Sequence, residues 1–390
     1  MKIKMGQGLR YVVQWGFLVF LLSLAYLHDR YGGGVTGFPT VCSICPFGGM
    51  ETLYAWFSAG TFIRRTSPAD LVLLFGFIGI TLILGRTFCG AICPLGTVQE
   101  WMTKGGRALG IRARELPSSI DRPLRFLKYG VFLAIIFFTW SAGELIWRDY
   151  DPWVALMHVF EPLELVLEKP IGLAVLVGIV LIGTIFIERA WCRYFCPLGA
   201  LLSVFHFLSP LKVRRNQESC IDCGLCDLSC PVKLDISDRE TVNSPECIQC
   251  GKCTDACPVP KTLEIGTKKG SRFSYLKILV ATLLIFLVVY GISRATGHWM
   301  TYAPMTQTTR SVESPAPLPG DGIQGSAKLE TLAEHFGLDA ETILEKAGWP
   351  LDVPRDRSLR EIMTERPELD LSIRSIRDAV NDLLKQTGTE

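Results

Sequence analysis

Fourteen cysteines punctuate the 390-residue sequence, and eight of them stand in two runs of identical spacing. Cys220, Cys223, Cys226 and Cys230, followed by Pro231, read C-x2-C-x2-C-x3-C-P. Cys247, Cys250, Cys253 and Cys257, followed by Pro258, repeat it. Thiolates so spaced converge on a four-iron cube, and where two runs occur the fourth cysteine of each crosses to the other cube. The spacing assigns Cys220, Cys223, Cys226 and Cys257 to one [4Fe-4S] cluster, and Cys247, Cys250, Cys253 and Cys230 to a second. Gly224 and Gly251 sit where the backbone must turn tightly toward inorganic sulfur. Zinc ligation and disulfide pairing are the competing uses of thiols, and two matching runs argue against both.

A second set of cysteines recurs farther upstream. Cys89-x3-Cys93-Pro94-Leu95-Gly96 matches Cys192-x3-Cys196-Pro197-Leu198-Gly199, and Arg86 matches Arg189. Positions i and i+4 share one face of a helix, so each pair is expected on one helical face. Three uses remain open for these four cysteines: a third, shared metal centre, redox-active thiol pairs, or structural thiols. Cys42-x2-Cys45-Pro46 stands apart. No His follows Cys45, so it is not a c-type haem attachment motif. A disulfide, a thiol pair, a metal site, or the outer wall of a quinone pocket shared with the Asp151-Pro152-Trp153 turn are its open readings.

The elements that position these residues are membrane helices. Hydrophobic residues make up 49% of the chain, and net charge is only +2, which argues for an integral membrane protein without a nucleic-acid partner. Apolar runs at 11–27, 69–84, 126–140, 171–187 and 275–292 predict about five transmembrane helices, the first an uncleaved anchor. Basic residues at the N-terminus, across 85–128 and at the edges of the cluster region put those parts inside, and the acidic 141–169 loop outside. The chain is then a multi-pass protein of the cytoplasmic membrane. Its cluster domain lies in the reducing cytoplasm, and its C-terminal segment lies outside. The fold class expected is an α-helical membrane protein with a parallel internal repeat, an inserted α+β ferredoxin domain and a small all-α C-terminal domain. The boundaries are 1–211 for the membrane core, 212–270 for the cluster domain, 271–300 for the fifth span, 301–326 for a Pro/Ser/Thr/Gly linker and 327–390 for the helical domain. Only five His occur, none in the middle of a span, so no haem is expected; His158 is read as a solvated loop residue.

Residues 212–270 resemble the two-cluster ferredoxins. The wider constellation, paired C-x3-C-P motifs after transmembrane helices and then the two-cluster run, resembles the NapH-like membrane polyferredoxins, a family that includes CcoG- and NosR-type proteins. The resemblance covers about residues 9–292. It implies electron transfer between membrane quinol and a redox partner, a quinol dehydrogenase role, with Cys89, Cys93, Cys192 and Cys196 at the family's C-x3-C-P positions. The lipid bilayer, the quinone pool and redox proteins are the partners it implies. The alternatives are a copper-handling reductase in oxidase assembly, as in CcoG-type relatives, and a membrane redox sensor. The fifth span and the C-terminal helices depart from the four-helix pattern. The immunoglobulin-like outer domain of CcoG-type members and the outer flavin domain of NosR-type members have no counterpart in this sequence.

Overall fold

A computed structural model describes residues 5–31, 44–60, 62–63, 66–111, 113–160, 170–268, 270–301, 323, 325, 327–366 and 371–387. Helices dominate it. Three are long and apolar enough to cross a membrane: Met5–His28 within α1 (Met5–Tyr31), Ser118–Ala142, and α14 (Tyr275–Ala295). The second comprises α6 (Ser118–Leu124) and α7 (Leu127–Ala142). α3 (Pro68–Leu84) and α9 (Pro170–Phe186) fall where further spans are expected, but each has 17 residues. That is about 25 Å of helix, against a hydrocarbon core of about 30 Å.

Start and stop chemistry sets the helix limits. Ser67 and Asp70 form a capping box at the head of α3, with Pro68 in the first turn. α9 is apolar throughout and β-branched in its middle. There it widens into a π-helical stretch, Leu176–Gly183. Its one hydroxyl, on Thr184, is buried, 3.4 Å from Gln99 Oε1.

Between α1 and α3 lies α2 (Pro46–Ala59). Its head lies directly after Cys45, with Pro46 in the first turn. Phe47 and Glu51 turn inward while Tyr54 and Phe57 stay exposed. Cys42 lies outside the described residues.

The connection after α7 is not a simple outer loop. A 3-10 turn (Ile146–Tyr150) and α8 (Pro152–Met157) fold back against the helices. Met157 packs on Leu21 and Ala25 of α1. Trp147 comes within 6.5 Å of Trp191, ring to ring, at an interplanar angle of 19°. His158, expected to be solvated, ends α8 with its Nδ1 2.7 Å from the Val154 carbonyl oxygen.

The cluster region is a four-stranded antiparallel sheet in the order β2 (Thr241–Val242), β1 (Lys212–Arg215), β3 (Leu263–Gly266), β4 (Arg272–Phe273). Val213 sits opposite Val242 on one side and Ile265 on the other. Its inward residues share a core with Phe77, Ile80, Leu84 and Phe88 from the membrane helices, and with Ile278 and Leu279 of α14. The sheet is thus fused to the membrane core by packing.

The C-terminal part has its own core, built on Leu329, Leu332, Ile343, Leu344, Leu359, Ile362, Ile376 and Val380. Its helices are Leu329–Phe336, Ala340–Ala347, Leu359–Glu365 and Ile373–Thr387. Asp339 caps the second of these through the Thr342 N–H, and Ser358 with Glu361 forms a capping box on the third.

Candidate iron–sulfur centres

Both C-x2-C-x2-C-x3-C runs fold alike. Gly224 and Gly251 stand in left-handed conformation, φ +65° and +70°, at the head of short helices Leu225–Ser229 and Lys252–Ala256. The residue two before each glycine, Asp222 and Gln249, also takes positive φ. The two helices pack against each other, which brings the ends of the runs together. Cys230 joins Cys247, Cys250 and Cys253 in lining one small, mostly apolar cavity, walled by Val213, Val232, Ile236 and Val242. Cys220, Cys226 and Cys257 are partly buried and Cys223 is exposed. The Arg215 guanidinium lies against Cys220 and Asp222.

Among the described residues no three thiols, imidazoles or carboxylates close into a coordination shell. The donor chemistry nevertheless fits an iron–sulfur centre. Burial pushes the thiol of Cys230 up to about 12 and that of Cys247 up to about 11. Thiolates in such a space need a compensating cation, and iron bound by the thiolates supplies it.

The C-x3-C pairs do not lie on one helical face, contrary to the expectation from their spacing. Cys89 belongs to α4 (Thr87–Ala91), and Cys93 is the N-cap of α5 (Pro94–Ala108). Likewise Cys192 belongs to α10 (Ala190–Tyr194), and Cys196 is the N-cap of α11 (Pro197–Leu208). The proline after each second cysteine breaks one helix and starts the next. Each second thiol thus sits over exposed N–H groups: the Gly199 N–H donates to Cys196 Sγ at 3.3 Å, and the Gly96 N–H to Cys93. Helix N-termini favour an ionised thiol, but burial, with the neighbouring thiols, outweighs this and pushes Cys93 and Cys196 up. Cys93, Cys192 and Cys196 pack in one cluster with Leu95, Trp191 and Val180, and Cys89 lies within electrostatic reach of Cys93 and Cys196.

Two arginines cross between the motifs. Arg86 Nη1 donates to Ser203 Oγ at 2.8 Å and to the Pro245 carbonyl at 2.9 Å, with Nη2 4.0 Å from Cys89 Sγ. Arg189 Nη1 donates to the Cys89 carbonyl at 3.0 Å, and its Nη2 reaches Glu100 Oε2 at 3.3 Å. A Cβ on Gly96 would stand 2.6 Å from Arg189 Nη1, and one on Gly199 3.2 Å from Arg86 Nη2. Glycine in both C-P-L-G sequences is therefore the space a guanidinium from the other motif fills.

Sequence reasoning missed Glu100, which is buried at the junction. It accepts from Arg10 through both oxygens, at 2.6 and 2.9 Å, and pairs with Lys252 at 3.1 Å. Burial pushes its carboxyl up, but Lys252, Arg10 and Arg189 hold it well below the usual carboxylate range. Lys252, the residue before Cys253 in the second run, is thus engaged. Gln99, also missed, donates from Nε2 to Cys192 Sγ at 3.1 Å. The signal for both was faint: two polar residues on the otherwise unremarkable helix after a C-P-L-G turn.

The cluster region is bolted to this assembly. Gly90, between Cys89 and Cys93, lies so close to Ile248 and Cys250 that a Cβ there would overlap the Ile248 carbonyl and stand 3.0 Å from Cys250 Cα. Gln7 Nε2 donates to the Cys250 carbonyl at 3.0 Å. Lys128 makes a buried ion pair with Glu246. Arg125 Nη2 donates to the carbonyls of Val232 and Lys233, both at 3.0 Å.

A family profile described as a 4Fe-4S binding domain matches residues 36–65, 66–112 and 170–216, and one described as a 4Fe-4S dicluster domain matches 212–258. The protein YccM of Escherichia coli is 33% identical over 280 residues, 70% of this chain and 76% of that protein. The chain belongs to the NapH-like membrane polyferredoxins. The ferredoxin-type protein NapH of Haemophilus influenzae is 30% identical over 164 residues, 42% of this polyferredoxin and 52% of NapH. An uncharacterized protein of Methanocaldococcus jannaschii is 31% identical over 205 residues, 52% of this chain and 79% of its own length. No solved structure matches. The polyferredoxin is a membrane iron–sulfur electron-transfer protein.

Proposed function

We propose that this polyferredoxin carries electrons between the quinone pool and a redox partner through three iron–sulfur centres. Cys220, Cys223, Cys226 and Cys257 hold one cluster, and Cys247, Cys250, Cys253 and Cys230 a second. Cys89, Cys93, Cys192 and Cys196 hold the third. When bound, such clusters supply reversible one-electron transfer. The observation that carries this reading is Gly90 seated against Ile248 and Cys250, which joins the first C-x3-C motif to the second cysteine run by direct backbone contact.

The chain's own residues supply position and charge. Arg86 and Arg189 place two buried cations beside the four thiols, and the heads of α5 and α11 add two helix termini. A centre with four thiolate ligands carries net negative charge, and this surround offsets it. The matched motifs read as halves of a parallel repeat, related by an axis along the membrane normal. Five spans complete the arrangement, with the short α3 and α9 continued by α4 and α10. The N-terminus and residues 212–270 lie in the cytoplasm, and the helical domain 327–390 lies outside.

The test is anaerobic purification with iron and sulfide counts, then reduction by a quinol analogue. Three clusters give about twelve iron per chain and two give about eight. Eight iron with no spectral response to quinol overturns the proposal while leaving the ferredoxin domain intact.

A further inference from the structure

The turn and helix that fold back after α7 carry two tryptophans whose indole N–H groups find no acceptor among the described residues. Trp147 Nε1 and Trp153 Nε1 are both buried, and neither has a hydrogen-bond partner among the described residues. A buried indole N–H ordinarily finds an acceptor, because leaving it bare costs the full desolvation of the group. Two such donors on one short segment call for acceptors that the described residues do not provide.

Their surroundings narrow the choice. Both indoles pack into the apolar cluster formed by Leu95, Leu176, Val180 and Trp191, in which Cys93, Cys192 and Cys196 also take part. Trp147 stacks toward Trp191, the chain neighbour of Cys192, and toward Tyr150 at 6.1 Å and 24°. A bridging water needs several polar partners, and this lining is largely apolar. Asp151 is committed to the Trp153 N–H of the backbone at 2.9 Å. Ile146 and Tyr150 are 41% and 40% exposed, so the segment reaches the surface of the protein. A ligand that fits this place is uncharged, flat, apolar in body and rich in acceptors.

We propose that Trp147 and Trp153 donate their indole N–H groups to the oxygens of a quinone headgroup, which lies against Trp191 beside the Cys89, Cys93, Cys192 and Cys196 group. This inference rests on the quinone-linked reading above and gives it a site. The re-entrant segment brings the headgroup to the upstream cysteines rather than to the ferredoxin sheet. The upstream centre is then the first to exchange electrons with the membrane pool.

The test uses the full chain in lipid nanodiscs, anaerobic, with its clusters in place. Short-chain ubiquinone and menaquinone analogues are titrated by calorimetry. Trp147→Phe with Trp153→Phe keeps an aromatic ring at each position and removes the N–H together with the rest of the fused five-membered ring. The double variant is expected to bind about tenfold more weakly, with dithionite reduction of the clusters unchanged. Unchanged affinity in the double variant, or no binding by the parent, overturns the site. The unsubstituted protein gives a check that needs no variant to fold: two of its indole N–H resonances shift on adding the analogue, and no shift overturns the site. Quinol that reduces the clusters equally well in parent and double variant keeps the quinone-linked reading and rejects this site. Binding lost in the variant, with no cluster reduction by quinol in the parent, keeps the site and rejects the electron route.

Discussion

Arg189 reaches out of its own motif to Glu100, Nη2 to Oε2 at 3.3 Å, on the helix that follows the other C-x3-C-P. Arg86, its counterpart, makes the matching reach to Ser203 at 2.8 Å. Glu100 and Ser203 stand at equivalent places, each seven residues beyond the second cysteine of its motif. The geometry is reciprocal and the charge is not. Glu100 gathers Arg10, Arg189 and Lys252, which ties α1 and the second cysteine run to one side of the assembly.

Glu100→Gln leaves buried cations without their anion. Breaking one side of a buried ion pair costs about 3–5 kcal/mol, whereas Ser203→Ala removes a single hydrogen bond at about 1 kcal/mol. Thermal bleaching of the cluster absorbance in detergent is expected to move down sharply for the first and slightly for the second. Because the folded carboxyl is held below its usual range, its contribution is full above the unfolded value, about pH 4.3, and fades as pH falls below it. The gap between parent and Glu100→Gln therefore narrows in acid. Equal midpoints at neutral pH would remove Glu100 from its organising role.

Gly90→Ala tests the junction between the motif and the run. A Cβ there overlaps the Ile248 carbonyl, so the Cys247–Cys253 loop must withdraw. The expected result is slower electron exchange between the upstream centre and the ferredoxin clusters in rapid-mixing experiments, or partial loss of iron. Gly8→Ala, which meets nothing within 4 Å, serves as the neutral control.

Replacing Cys89, Cys93, Cys192 and Cys196 together by Ser is expected to lower iron from about twelve to about eight per chain, leaving two ferredoxin-type signals in electron paramagnetic resonance. Unchanged iron would return these four residues to a thiol-exchange or structural role. Copper binding lost in the variant would favour the copper-handling alternative.

Lys128 and Glu246 pair across the membrane core and the cluster region. Lys128→Met alone strands a carboxylate and is expected to destabilise by about 3–5 kcal/mol, whereas Lys128→Met with Glu246→Leu recovers most of that loss. Denaturant titration followed through the cluster absorbance measures both.

The C-terminal caps act locally. Ser358→Ala removes the acceptor for the Glu361 N–H and is expected to cost about 1 kcal/mol of helical stability. Circular dichroism detects it, and iron content stays unchanged because that core is separate from the clusters.

Cysteine spacing alone carried the chemistry, since a four-iron cube demands thiolates at short fixed intervals and a glycine in the tight turn between them. Apolar run length placed the helices, because each must bury or present a continuous hydrophobic surface. Both are local constraints, and a linear chain displays local constraints directly. What the tertiary structure decided is which distant groups meet. The same proline that marks each C-x3-C-P in the sequence breaks its helix, so i,i+4 spacing did not mean one face. Residues 146–157 of the acidic connection after α7 turned inward because Met157, Trp147 and Trp153 found apolar partners on α1, α9 and around Trp191. Arg189 and Glu100 are 89 positions apart, and neither residue type announces a partner. A buried cation is tolerated only when an anion closes on it, and that pairing becomes visible only once the chain has folded.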